Sequence, residues 1–381
     1  MKPSGAAGEK SSLWRLYLAR LTMAAAGVLF TLLAIEATTR FVRPQDLHYW
    51  DSRPFRRFES APPHFIENVP GSHTTFIGVP VAINSLGLRG DEISVAPPAN
   101  TTRVLVVGDS VTFGYGIPYE DTYPKVLERR LNEVAAGGER YEVLNGGTLG
   151  GSLGDYLHFI REKGELLQPR IVVVGISLND ILVYEKSGGI SEQGAEWHGE
   201  RQPVPRRISQ FLLRHSELYL LCYSGLKSSL YGLGVLDMNK VQGSNYVSLA
   251  PPSPYQEQAW ISSLAMLSQI VKLCRERKYG LLLVVFPMQM QMAEADLQFY
   301  REKYHLRLGD NVLSAEPQRR LREYAASAGV MLVDPLAAFR AHNSRDMYLH
   351  TPMIPSDPTH PSIGGNRVIA DEIFRALQPL K

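Results

Sequence analysis

Much of what assigns a function quickly is scarce in this chain of 381 residues. Two cysteines, Cys222 and Cys274, lie far apart, indicate no disulfide, lack zinc-ligand spacing and leave the compartment open. No His-Glu-x-x-His pattern or other ligand spacing is found among the histidines, so the sequence offers no metal site. The formal net charge is only +2, with no marked charge runs, so nothing draws the chain toward nucleic acid. Internal repeats and low-complexity tracts are also missing. A hydrophobic content of 44% is that of an ordinary globular protein, and the length suits one large domain or two modest ones.

One long apolar run stands out, at the amino terminus. Lys2, Lys10, Arg15 and Arg20 precede an uncharged stretch from Leu21 to Ile35. Counting back past Arg20, which can snorkel, to Leu16 gives about 20 residues, enough to cross a bilayer core. The flank Ala34-Ile-Glu-Ala37 contains no clear Ala-x-Ala cleavage site, so a retained signal anchor is expected over 1–43 rather than a cleaved signal peptide. The basic amino-terminal flank places that end in the cytoplasm and the main domain outside the cytoplasmic membrane. Arg40, Arg43, Arg53, Arg56 and Arg57 on the far side oppose this orientation, but a long domain translocates largely regardless of charge.

Residues 44–100 are rich in proline, aromatics and arginine and read as a membrane-proximal extension. Within them, Asn84-Ser-Leu-Gly-Leu-Arg-Gly90 has turn chemistry and is expected to form a structural hairpin. From 101 onward, strand and helix patterns alternate. Strands are expected at Val104–Val107, Tyr141–Leu144, Arg170–Gly175, Leu281–Phe286 and Val330–Val333. Helices are expected after Asp121 (with Val126, Leu127, Leu131 and Val134 on its apolar face), over Leu153–Leu167, about Gln256–Lys278, Pro317–Ala328 and about Ser362–Leu377. Such alternation implies right-handed crossovers and a mainly parallel sheet covered on both faces. Residues 184–254 interrupt the series. Their apolar stretch, with Leu212, Leu213, Leu218, Leu220 and Leu221, is expected to be a helical insertion packed on the core; a cover for the site or a membrane-surface element are the alternatives.

Four loops carry the chemistry. The first apolar strand stops at Gly108-Asp109-Ser110, placing Ser110 just past a strand's carboxyl end, where open α/β sheets bind ligands. Asn145-Gly-Gly-Thr-Leu-Gly-Gly-Ser152 follows the second strand, Gly175-Ile-Ser-Leu-Asn-Asp180 the third, and Ser356-Asp-Pro-Thr-His-Pro361 precedes the last helix. Asp357 and His360, three apart, can share one turn and bring carboxylate to imidazole.

In order and position these four segments resemble blocks I, II, III and V of the SGNH (GDSL-type) hydrolases, over about 103–378 apart from the insertion. The resemblance implies a flavodoxin-like three-layer α/β/α domain over 101–381, with Ser110 as nucleophile, His360 as general base and Asp357 as its orienting carboxylate. It further implies an oxyanion hole made by the Ser110 and Gly150 backbone N–H groups and the Asn179 amide. Gly147 and Gly151 remain open for the glycine role, and the three residues separating Gly175 from Asn179, against one in many members, leave Gly175 without an assigned part. Asp180 is expected to be structural. No metal or organic cofactor is implied. The implied activity is that of a membrane-anchored serine esterase acting on small acyl esters, such as acetylated envelope glycans. A lipid ester is the next choice, and an O-acyltransferase would use the same acyl-enzyme. A non-catalytic carbohydrate-binding scaffold would be marked by loss of a triad residue, and none is lost.

Overall fold

The computed structural model describes residues 6–47, 49, 51–58, 65–184, 204–235, 243–351, 354 and 356–378. The chain divides into two compact units, one of Met1–His48 with Val204–Tyr223, the other of Tyr49–Pro203 with Ser224–Lys381.

The larger unit is built on a five-stranded parallel sheet. Two small antiparallel pairs come first in the chain, β1 (Arg56–Phe58) with β2 (Ile66–Asn68) and β3 (His73–Phe76) with β4 (Val79–Ala82). The sheet strands are β5 (Thr101–Gly108), β6 (Arg140–Gly147), β7 (Ile171–Ile176), β8 (Gly280–Val285) and β9 (Met331–Val333), in the order β6-β5-β7-β8-β9. Renumbered from the first sheet strand this is 2-1-3-4-5, the flavodoxin-like winding, whose order reverses between β5 and β7. Val104 to Val107, Val172 to Val174 and Leu282 to Val285 are nearly inaccessible, as strands covered on both faces require. One face packs Leu157, Ile160, Leu267 and Ile270 from the helices Leu153–Leu167 and Pro254–Glu276. The other packs Leu127, Leu131, Ile369 and Ile373 from Tyr123–Glu133 and Ile363–Leu377. Helices on both faces make the expected three layers.

Two expectations need correction. Val134 is not on the helix's buried face: it lies just past the end of Tyr123–Glu133 and is 47% exposed. Its residue type fitted the apolar period, but the helix ends one residue too soon to bury it. The insertion is also not wholly packed on the core. Val204–Tyr223, which includes the helix Val204–His215 and the start of Glu217–Gly232, groups with the amino-terminal helix, whereas Tyr231, Tyr246, Val247 and Leu249 enter the core beside the sheet. Residues 185–203 and 236–242 of the insertion lie outside the described residues.

Residues 49–100 group with the sheet. Phe55, Phe76, Val81 and Ile83 close over Phe113, with Phe55 stacked on the Phe113 ring at 5.3 Å. The expected turn at Asn84 is present: Asn84 Oδ1 accepts from the Leu86 and Leu88 amides, each at 3.0 Å. Its chief product is Arg89, a cation only 2% exposed. The Arg89 guanidinium donates to the carbonyls of Phe113, Gly114 (2.7 Å) and Ile117 (2.7 Å), and its backbone N–H donates to Asn145 O at 2.9 Å. Burial lowers its pKa to about 10, so it stays charged at neutral pH. The turn thus holds both loops that flank Ser110. Truncation by Arg89→Ala would orphan three carbonyls and open a cavity; we expect a loss of about 3 kcal/mol or more in urea unfolding of the chain in micelles. Unchanged stability would show that these bonds contribute nothing.

Candidate active site

Ser110 opens a single helical turn, Ser110–Phe113, directly after β5. Asp109 caps it, accepting from the Val111 amide at 2.9 Å. The turn lies tight against the strand ends: a Cβ added at Gly147 would stand 2.2 Å from the Phe113 nitrogen. One added at Gly175 would stand 2.6 Å from the Phe286 ring and 2.7 Å from Thr112 Oγ1. Gly175 therefore gains a part that the motif left open, which is to make room for the turn bearing Ser110.

His360 Nε2 lies 2.8 Å from Ser110 Oγ, and His360 Nδ1 lies 2.7 Å from Asp357 Oδ2. The second carboxylate oxygen of Asp357 accepts from the Thr359 and His360 amides at 2.9 and 3.0 Å, which closes the Asp-Pro-Thr-His turn on itself. Neighbouring loops hold that turn from outside. The Gln289 amide donates to Pro358 O at 2.8 Å, the Leu349 amide to His360 O at 2.9 Å, and Tyr300 OH lies 2.9 Å from Ser356 Oγ. The structure brings Ser110, His360 and Asp357 into one hydrogen-bonded line.

One neighbour was missed in the sequence. The Tyr115 ring stacks on the His360 imidazole at 4.0 Å with 17° between planes. Phe76 meets Tyr115 edge-on at 5.6 Å, and Phe55 meets Phe76 at 5.2 Å, so aromatics of the extension back the imidazole in series. The available signal was Tyr115 itself, an aromatic between Gly114 and Gly116, both at positive φ.

Three glycine amides compete for the oxyanion role. Gly147 N–H donates to Asn145 Oδ1 at 3.0 Å and Gly151 N–H to Thr148 O at 3.0 Å, so both are engaged. Gly150, at φ +71°, has no such bond among the described residues. Asn179 lies on the turn after β7, where its side chain favours the ionised form of the Asp109 carboxyl next to Ser110. Asp180 is buried beneath it, accepting from the Ser177 amide at 2.9 Å and from Tyr156 OH at 3.0 Å, as a structural residue would.

Charges around the imidazole act in concert. Burial pushes Asp109 above the usual carboxylate range, although the Val111 amide, Ser177, His360 and Asn179 pull the other way. Burial also opposes ionisation of Asp357, but the His360 charge and hydrogen bonds from His360 and Thr359 overcome it and hold that carboxyl below its ordinary value. Burial disfavours imidazolium at His360, yet Asp357 and then Asp109 raise its pKa above the ordinary 6.5. Among the described residues, no group of three or more His, Cys, Asp or Glu is placed to hold a metal ion.

No protein-family model and no curated protein matches this chain. Several solved structures do. TesA is 13% identical, over 74% of this chain and 100% of its own, with a TM-score of 0.39. Axe2, an acetylxylan esterase from Geobacillus stearothermophilus, is 15% identical, over 75% and 97%, with a TM-score of 0.41. LAE5, an alpha/beta hydrolase enzyme from the metagenome of Lake Arreo, Spain, is 15% identical, over 74% and 96%, with a TM-score of 0.39.

A pH dependence follows from the geometry. Only neutral imidazole can take the Ser110 proton, so a raised His360 pKa delays competence until pH rises through it. Labelling of Ser110 by a fluorophosphonate should fall as pH drops, with its half-point above 6.5. Asp357→Asn removes the main raising influence and should lower both the half-point and the plateau. An unshifted half-point in that variant would contradict the electrostatic account.

Proposed function

We propose that the chain is a serine esterase that works through an acyl-enzyme on Ser110. The observation that supports this most directly is the continuous line Ser110 Oγ, His360 Nε2, His360 Nδ1, Asp357 Oδ2, with contacts of 2.8 and 2.7 Å. Ser110 Oγ attacks the ester carbonyl carbon while His360 Nε2 takes its proton. Asp357 accepts from Nδ1–H, which fixes the tautomer and stabilises the imidazolium. The oxyanion is held by the Ser110 and Gly150 amides and the Asn179 side chain. Collapse expels the alcohol, which receives the proton from His360, and water then enters by the same route to release the acid.

The amino-terminal helix, Ala6–Val42, is the one described helix long and apolar enough to cross a bilayer; within Trp14–Val42 an 18-residue stretch has mean hydropathy 2.0 and is unburied. In our reading it is a retained anchor, with the esterase unit outside the cytoplasmic membrane. Acetyl and other small acyl esters on envelope glycans are the substrates proposed for that location.

The test is an ester series, p-nitrophenyl acetate, butyrate and octanoate, with an acetylated glycan beside it. Ser110→Ala and His360→Ala should abolish turnover with unfolding curves unchanged, and Asn179→Ala should lower kcat by about 10²–10³ with a smaller effect on KM. Preference for acetate supports a deacetylase, and preference for octanoate a lipid esterase. Acyl transfer exceeding hydrolysis when a glycan acceptor is added would favour the transferase. Full activity in His360→Ala would defeat the assignment.

A further inference from the structure

The smaller unit explains a part of the insertion that the esterase reading leaves unused. From Leu16 the anchor is apolar, Arg20 apart, for about 20 residues, about 30 Å of helix, and the first charge after that stretch is Glu36. Glu36 caps the start of Glu217–Gly232: its carboxylate accepts from Ser216 Oγ at 2.7 Å, the Glu217 amide at 2.9 Å and the Leu218 amide at 3.0 Å. One turn on, Arg40 pairs with Glu36 at 2.8 Å and donates to His215 O, also at 2.8 Å, at the end of Val204–His215. Glu217 in turn accepts from the Gln45 amide at 2.7 Å. Anion at a helix start and cation at a helix end are the favourable placements for both helix dipoles. The corner at 215–217 is thereby bolted to the anchor at one depth, just past its apolar stretch.

The Val204–His215 helix, tied to that corner by its last residue, exposes apolar side chains. Ile208 and Phe211, three apart and on one side, are 53% and 58% exposed, with Leu212 beside them half-buried. The same helix carries Arg206, Arg207 and Arg214 in its sequence. A helix of basic composition with exposed apolar residues, tied at its end to the anchor just past the apolar stretch, has the makings of an interfacial element.

We propose that Val204–Tyr223 is an interfacial membrane segment, with Ile208 and Phe211 seated at the acyl boundary of the leaflet at the carboxyl end of the anchor, and that the basic composition of its first helix favours anionic phospholipid. This rests on the reading of the amino-terminal helix as a retained membrane span.

The experiment uses the full chain in nanodiscs of phosphatidylcholine and phosphatidylglycerol. Nitroxides are placed by Ile208→Cys, Phe211→Cys and, as polar control, Gln210→Cys, each with Cys222→Ser; Cys274 is buried and left in place. Collision with oxygen should exceed collision with a nickel chelate at 208 and 211, and the order should reverse at 210. Free access of the chelate to 208 and 211, or shielding of both from either agent as in a protein contact, overturns the proposal. A second readout needs no substitution. Amide exchange over 208–215 should slow at least tenfold when phosphatidylglycerol nanodiscs replace micelles, and unchanged exchange counts against the proposal. Release of the chain by alkaline carbonate would remove the anchor and the proposal together, whereas a retained chain with water-exposed 208 and 211 overturns the interfacial segment alone.

Discussion

The hydrogen bond between His360 Nε2 and Ser110 Oγ spans 250 residues of sequence, and the larger unit is arranged so that it can form. Its two partners sit on separate loops at the carboxyl end of one sheet. One begins a single helical turn and the other is irregular, so each needs outside support. For Ser110 that support is Asp109 capping below, Gly147 and Gly175 giving room behind, and Arg89 gathering the carbonyls that follow. For His360 it is the self-closed turn of Asp357, the bonds from Gln289 and Leu349, and the Tyr115 ring lying flat against the imidazole.

Buried ionisable groups are the cost of that arrangement. Asp109, Asp180 and Arg89 are all nearly inaccessible. Burial pushes both carboxyls up toward their neutral forms, Asp180 the more strongly, whereas Arg89 keeps its charge on three carbonyl bonds. Arg103 repeats the device at the other end of β5. Its guanidinium is fully buried, pairs with Glu142 of β6 at 2.8 Å and donates to Leu167 O at 3.1 Å and to Ser94 O, tying β5 to its neighbour, to the segment that precedes it and to the end of the Leu153–Leu167 helix. Polar bonds to backbone carbonyls thus act beside the aromatic packing around Ser110.

Much of this was legible because it is local. Apolar runs such as Val104–Val107 and the Ile-Val-Val-Val of β7 mark strands wherever they occur, and helical spacing over 153–167 led to the observed bounds. Asp357 and His360 could be paired because three residues separate them, and the order of four loops brought Ser110 to the same place. What escaped was set by distant partners. No local pattern says that Arg89 will reach Phe113, that Phe55 and Phe76 will back Tyr115, or that Glu36 will cap a helix beginning at 217. Val134 shows the opposite failure, a local period that fits although the helix stops before it. The insertion was read as one piece because its apolar residues look alike, while their burial depends on which neighbour each half meets.

In the proposed reaction Ser110 Oγ carries the acyl group of a covalent acyl-enzyme. Rapid acid quenching of the chain during turnover of p-nitrophenyl acetate, followed by peptide mass spectrometry, tests it most directly. The account predicts one added acetyl group on the peptide that carries Ser110, with fragmentation placing it on that residue. Acetyl on another residue, or turnover with no acetylated peptide under any quench time, would contradict it.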